Sequence, residues 1–404
     1  MGPLKDIKIF DLTRVLAGPH CTQILGDLGA DIIKIERVEN GDDTRKFAPP
    51  FMKDQNGDDT NQSAYFSGTN RNKRSLTLDL SSSEGQAIAK ELISKSDILV
   101  ENFKVGTLKK YNLDYDSLKD EFPSLIYCSI TGFGQTGPYA NRPAYDALVQ
   151  AMGGVMSLTG EPDGEPMKVG VSIADLMAGM YATVSVLAAL RHRDKTNEGQ
   201  HLDISMLDAH VAWLANQGMN YLATGKNPQR LGNQHPNILP YQVMPSKDGY
   251  FVLSVGNDAT FERFCEVASC EYLLDDEKFA EAVQRVKNRE EVTNKLNEIT
   301  KMHETKWWLE KLEAKNIGCC AINTLEEVFS DPQVISREMV LNMEGTDEKK
   351  SPYKLIANPI KMKEGSITYR YPPPQHGEHT SELLKEYLDY SDEKIDALKK
   401  SGII

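Results

Sequence analysis

The first half of this chain alternates short apolar runs with helix-like stretches, and that alternation restricts its fold more than any other feature. The runs at Ile7–Leu12, Asp31–Arg37, Ser75–Leu80, Ile98–Phe103 and Leu125–Thr131 are rich in aliphatic and β-branched residues, as strands are. One helical stretch starts at about Pro19, a residue suited to a first turn, and stops at Gly29. Another opens on Ser81-x-x-Glu84, a capping-box pattern, and reaches about Ser94. Strands joined through helices pair in parallel and are covered on both faces. Sheets of this kind hold ligands beyond the carboxyl ends of their strands. The loops of interest are therefore Thr13–Pro19, Arg37–Arg45, Phe103–Gly106 and Gly132–Pro138.

Further along the pattern changes. Helices near 172–193 and 206–224 flank a strand at His201–Ser205, and Gly225–Tyr241 reads as a loop dotted with Asn, Pro and Gly. A second unit then begins, with a strand at Tyr250–Val255, helices near 258–268, 288–301 and 304–315, and a strand at Cys319–Ile322. The tail from Asp331 to Ser366 reads as irregular, and a last helix starts at about Thr380. A chain of 404 residues exceeds what one core normally organises, so two domains are expected.

The net charge of −13 argues against a binder of nucleic acid or membrane surface, which needs a basic face. Cys21, Cys128, Cys265, Cys270, Cys319 and Cys320 form no C-x-x-C pair and no zinc spacing with histidine, so we expect reduced thiols and no bound metal. The N-terminus carries neither an apolar run nor an Arg/Ser-rich presequence. That fits a cytoplasmic protein, or one of the mitochondrial matrix after removal of a presequence.

Three local patterns invite functional readings. Gly132-Phe-Gly-Gln-Thr-Gly137 has the G-x-G-x-x-G spacing, but Pro138 and Pro143 follow where a dinucleotide-binding helix would start, so a plain Gly-rich loop is expected. His376-Gly-Glu-His379 reads as a loop turning into the last helix rather than a ligand pair. Arg14, Arg37, Arg71, Lys73, Arg74, Lys104, Lys109 and Lys110 lie at or near strand ends. They suit a phosphorylated nucleotide, or they are ordinary surface charge.

The most informative acid is Asp175. Val169–Leu190 is otherwise uncharged and long enough to span a bilayer, yet a carboxylate inside a span costs about 3 kcal/mol. A buried core helix is expected instead. Ser172-Ile-Ala-Asp175 also fits a capping box, with Asp175 reaching back at the third helical position. A carboxylate at a helix N-terminus is held ionised, and apolar surroundings strip its water, so it is equally suited to attack a thioester carbonyl. The residues alone leave both readings open.

Several dispersed segments bear on the choice. They include Asp11-Leu-Thr-Arg-Val-Leu-Ala-Gly-Pro19, Gly29-Ala-Asp-Ile-Ile-Lys-Ile-Glu-Arg37, Gly41-Asp-Asp-Thr-Arg45, Asn70-Arg-Asn-Lys-Arg-Ser75, Glu101-Asn-Phe103, Thr131–Pro138, Tyr145-Asp146 and Gly377-Glu-His-Thr380. Together they resemble the class III CoA-transferases, the family of formyl-CoA transferase and carnitine CoA-transferase. The resemblance runs from about Leu4 to the C-terminus and is nearest the branch that uses succinyl-CoA with glutarate or similar dicarboxylates. Val169-Gly-Val-Ser-Ile-Ala-Asp175 matches the segment that holds the family's nucleophile.

The resemblance implies an α/β fold: a Rossmann-like large domain with a parallel sheet plus a smaller α+β domain. The large domain would take residues 1–225, the small domain 226–325, and 326–404 would link back and complete the large one. Two subunits would interlock as a homodimer. Asp175 would carry CoA as an aspartyl thioester between an acyl-CoA donor and a free carboxylic acid, with no cofactor, no metal, no nucleic acid and no membrane. Substrate contacts would fall on Val15, Leu16, Ala17, Arg37, Leu76, Asn102, Phe103, Lys110, Gly132, Phe133 and Tyr145. The glycine run in the small domain of formyl-CoA transferase is absent, and Gly232-Asn-Gln-His-Pro236 takes a related place. Alternatives are a 2-methylacyl-CoA racemase of the same fold and a non-catalytic acyl-CoA-binding protein. The racemase branch has a His where this chain has Tyr145, and a tyrosine is a poor base at neutral pH.

Overall fold

The structure is a computed structural model that describes residues 2–54, 56–345 and 353–404. The chain divides into two compact units, one of 1–153, 170–213 and 332–404, the other of 154–169 and 214–331.

The first unit is built on β1 (Lys8–Asp11), β2 (Asp31–Glu36), β3 (Lys73–Thr77), β4 (Ile98–Glu101), β5 (Ile126–Thr131) and β6 (Gln200–Ser205). They form one sheet in the order β3-β2-β1-β4-β5-β6, and every pairing is parallel. That is the order of dinucleotide-binding sheets, and it reverses between β1 and β4. Side chains alternate along each strand. Phe10, Ile33, Leu99 and Tyr127 join one core, while Ile9, Ile32, Ile98 and Ile126 join the other. The second core is closed by α1 (Ala17–Asp27) and, further along, by the apolar helix of Ile173–Thr196. The first is closed by α2 (Ser83–Ile93) and helices near the C-terminus.

The N-cap of α2 is Ser82, which accepts from the Gly85 N–H, and not the expected Ser81. Asp79 takes the Ser81 hydroxyl and N–H first, which moves the helix start by one residue. After β5 come α3 (Asp146–Met152), α4 (Ile173–Thr196) and, past β6, α5 (Met206–Ala212). The helix expected over 206–224 breaks at Trp213–Leu214, with Ala215 in the left-handed region at φ +43°, and resumes as α6 (Ala215–Thr224).

In the second unit, β7 (Tyr241–Pro245), β8 (Tyr250–Ser254) and β9 (Gly318–Ala321) form an antiparallel sheet in the order β9-β8-β7. Strand β7 lies where a loop was expected to end. Helices α7 (Asp258–Ala268), α8 (Arg289–Thr300) and α9 (Thr305–Glu313) cover it through Phe251, Phe261, Phe264 and Trp308, all fully buried.

The tail is more regular than its composition suggests. Val340–Met343 (β10) pairs antiparallel with Tyr353–Ile356 (β11), and residues 346–352 of that tail lie outside the described residues. Long-range hydrogen bonds hold it to the rest of the first unit. The Tyr353 hydroxyl donates to Gln62, Asn358 donates to Asp27, and Arg71 donates to the Ile356 carbonyl. Helices α10 (Thr380–Leu388) and α11 (Asp392–Lys400) finish the chain, and His379 stands at the entry to α10 with its Nδ1 accepting the Ser75 N–H.

Candidate active site

Asp175 sits at the third position of α4, but it does not cap that helix. Ser172, the N-cap residue, makes no side-chain capping bond. Its hydroxyl instead bonds to the Tyr65 phenol. The N-terminus of α4 is satisfied from elsewhere, because the Asp146 carboxylate on α3 accepts the Ala174 N–H at 2.9 Å. Gln150, one turn further along α3, donates to the other Asp146 oxygen at 2.7 Å and fixes it.

Freed from its own helix, the Asp175 carboxylate accepts the backbone N–H of Ala17, the first residue of α1. No side chain caps α1 at Leu16. Asp175 is thus a cap after all, but of a different helix. The close approach rests on Gly179, one turn beyond Asp175. A Cβ there would stand 2.6 Å from the Ala17 carbonyl oxygen and 3.2 Å from His20. Only glycine lets α4 lie flat against the first turn of α1.

The electrostatics run against the simple expectation that a helix N-terminus keeps this acid ionised. Burial pushes the Asp175 carboxyl up, Asp146 adds like-charge repulsion, and the Ala17 N–H offsets only part, leaving it at about 7. Tyr65 shares the site, raised by burial and by the Asp175 charge.

Beneath this site lies a buried ionic network. Asp11, at the end of β1, accepts from Thr13 and Thr22 and pairs with Lys73. Lys34 donates to the Thr13 carbonyl at 2.9 Å and to Asp42 at 2.9 Å. Burial opposes both charges, yet the pair wins: Lys34 is raised, and Asp42 is held at about 2 by Lys34 and the Thr44 donors. Asp42 in turn accepts from Thr44 and from the Val15 N–H. Val15 has φ +69°, an unfavourable conformation for a β-branched residue, which the flanking bonds impose. The network therefore shapes the turn that delivers Ala17 to Asp175.

The same pairing settles the fate of several basic residues. Arg71 forks onto Asp27, Lys73 onto Asp11, and Arg74 onto Asp31, Glu382 and Glu386, all with their charged ends buried or nearly so. They are neither surface charge nor a nucleotide site. Arg14 and Arg37 remain beside a cleft of about 640 Å³ that opens beyond β1, β2, β3 and β4, at the point where the strand order reverses.

A family model described as CoA-transferase family III matches residues 4–380. The chain belongs to CoA-transferase family III. It is 46% identical over 384 residues to a succinate–glutarate CoA-transferase of Agrobacterium fabrum, covering 95% of each chain. It is 38% identical over 402 residues to the human succinyl-CoA:glutarate CoA-transferase, covering 100% of this chain and 90% of that one. The solved structure of a CaiB/BaiF family protein from Brucella suis superposes with a TM-score of 0.84 at 43% identity, over 96% of this chain and 99% of that chain.

The protein is thus an enzyme, a CoA-transferase, and the residues expected from sequence to contact substrate fall into distinct places. Val15, Leu16 and Ala17 form the turn at Asp175, with Leu16 and Ala17 largely buried. Arg37 and Phe103 line the cleft. Asn102 exchanges two hydrogen bonds with the Arg14 backbone, at 2.9 and 2.7 Å, tying the loops after β1 and β4 together. Glu101 accepts the Phe103 N–H at 2.7 Å.

The rest stand apart from the cleft. Leu76 is fully buried in the core and gives the cleft no surface. Lys110 is exposed on the turn Leu108–Tyr111, whose Tyr111 reaches the cleft. Gly132 and Phe133 follow β5, with Phe133 edge-on to Tyr139, and Tyr145 is exposed just before Asp146. Residues not singled out from sequence are Tyr65, Asp146 as the clamp on α4, and Gly179. Only Gly179 left a signal, as a glycine one turn from a lone acid in an apolar helix.

Proposed function

We propose that this CoA-transferase moves CoA from succinyl-CoA to glutarate or a similar dicarboxylate through an aspartyl thioester on Asp175. The carrying observation is the desolvated Asp175 carboxylate, with one oxygen held by the Ala17 N–H. The names of the Agrobacterium and human relatives support the substrate pair.

Bond by bond, the reaction balances without an added reagent. The ionised Asp175 oxygen adds to the thioester carbonyl, and the C–S bond breaks to give an acyl-aspartyl anhydride and CoA thiolate. The thiolate then attacks the aspartyl carbonyl carbon, forming the aspartyl-CoA thioester and releasing succinate as a carboxylate. The acceptor carboxylate reverses these steps. The Ala17 N–H faces the Asp175 oxygen on which charge gathers in the second attack, so it serves there as an oxyanion donor. Its alignment is set in advance by Gly179 and the buried network, which spares reorganisation at the moment of reaction.

The enzyme acts as a homodimer in this reading. In the first unit, Met180, Tyr181, Val184 and Leu187 leave an apolar face of α4 exposed, and that face supports a second copy as its cover. Among the described residues α4 is the one helix long and apolar enough to cross a membrane. Its opposite face, from Ala174 to Leu190, packs into the core with α1.

The test is direct. The protein is incubated with succinyl-CoA, quenched with hydroxylamine or borohydride, and digested for mass spectrometry. A modified Asp175 and transfer of CoA to added glutarate are expected. Deuterium uptake at the acyl α-carbon without CoA exchange would replace the transferase reading with a racemase. Native mass spectrometry reads the dimer.

A further inference from the structure

Beside the cleft stands an arrangement that the transfer chemistry does not use. Arg14 and Arg37 approach from the loops after β1 and β2, and the Asp43 carboxylate lies between them. Arg37 Nη2 donates to one Asp43 oxygen at 2.6 Å and Arg14 Nη1 to the other at 3.2 Å. Two guanidinium groups on separate loops therefore already converge on one anion. Arg37 does not depend on that anion alone for its place. Arg37 also donates to the Gly41 carbonyl through Nε and Nη2, at 3.2 and 3.0 Å. The Arg14 guanidinium lies 5.0 Å from the centre of the Phe103 ring, and its Nε is buried with no hydrogen-bond partner. The Asp43 side chain is 39% exposed, so solvent reaches the carboxylate. The capping of its short helix is done by Asp42, so Asp43 is free to turn away.

We infer that Asp43 is a resident counter-anion for this arginine pair, and that the 3′-phosphate of CoA displaces it on binding. The inference rests on the reading that the cleft takes CoA. A phosphate monoester carries between one and two negative charges on a single phosphorus and offers three acceptor oxygens. Paired guanidinium forks match that concentration of charge. The pyrophosphate spreads its charge over two phosphorus atoms and matches it less well. Phe103, Tyr111, Leu78 and Leu80 line the same cleft and give an adenine ring apolar surface beside the phosphate. The Asp43 carboxylate lowers the net charge of the arginine pair from two positive to one. It keeps the two guanidinium groups paired until a more concentrated anion takes its place, so CoA binds at the cost of that exchange while a ligand without the 3′-phosphate leaves the pair on Asp43.

Calorimetric titration of the full chain with CoA and with 3′-dephospho-CoA tests this. The wild-type protein is expected to bind CoA roughly tenfold or more tighter than dephospho-CoA. Arg14→Gln and Arg37→Gln should each weaken CoA towards the dephospho-CoA value and leave dephospho-CoA nearly unchanged. Asp43→Asn should do the reverse, tightening CoA severalfold with little effect on dephospho-CoA. Equal wild-type affinity for the two ligands, or an Asp43→Asn effect of the same size on both, overturns the inference while the cleft remains a CoA site. Binding of neither ligand overturns both.

Discussion

Replacing Asp175 with asparagine separates its chemical cost from its structural role. Asparagine keeps an oxygen that accepts the Ala17 N–H, so the junction of α1 and α4 survives. It removes the charge that burial and Asp146 disfavour. In the folded protein the carboxyl titrates at about 7 against an ordinary 3.8. A group raised on folding binds more protons in the native than in the unfolded state between those values. Its stabilising contribution is whole below the unfolded value and is gone once pH passes the folded one. The full shift corresponds to about 4 kcal/mol, and water reaching the partly exposed carboxylate reduces it to about 2 kcal/mol. Wild type should therefore lose ground to Asp175→Asn as pH rises from about 4 to about 8. In thermal melts at fixed protein concentration, the variant's Tm advantage should grow by about 2 °C across that range. Transfer activity should be abolished at every pH. A Tm difference that stays flat from pH 4 to 8, or that shrinks, refutes the raised pKa, and retained transfer refutes the nucleophile.

Three further outcomes follow from the same geometry. Gly179→Ala should reduce kcat by one to two orders of magnitude with a smaller change in KM, because its Cβ drives the Ala17 carbonyl away and drags the N–H from Asp175. Steady-state kinetics check it, and an unchanged kcat would count against the Ala17 contact. The rate of Asp175 acylation should rise with pH through about 7, and Asp146→Asn should move that midpoint to lower pH by removing the neighbouring charge; stopped-flow pH profiles of both forms decide it. Asp42→Ala should cost about 3–5 kcal/mol by stranding the fully buried Lys34 ammonium, seen as a large fall in Tm or loss of soluble protein.

What the sequence made legible was local. Strands β1, β2, β4 and β5 announced themselves because their central residues are buried on both faces of the sheet, so apolar residues stand next to one another along them. Strand β7 escaped notice because Tyr241–Pro245 is short, follows a proline-dotted loop and carries Gln242, which the fold nonetheless buries. The break between α5 and α6 has neither glycine nor proline to mark it. The basic residues show the limit most clearly. Arg74 looks like a strand-end cation available for phosphate, but its partners Glu382 and Glu386 belong to a helix near the far end of the chain.

The same limit governs Asp175. A lone acid in an apolar helix is conspicuous by composition, and its position relative to Ser172 suggests a capping box. Capping, however, is decided by whichever partner arrives with better geometry. Asp146 supplies the α4 terminus and Tyr65 engages Ser172, so Asp175 is left to turn outward to α1. None of these partners is within helical reach of Asp175 in sequence. The consequence is chemical as well as geometric. An Asp175 that capped its own helix would have had a stabilised charge and a weaker nucleophile. Bound to one N–H of another helix and facing Asp146, it is more basic, and each ionised carboxylate is correspondingly more reactive towards a thioester. The fold obtains that reactivity by giving the capping task to a second acid.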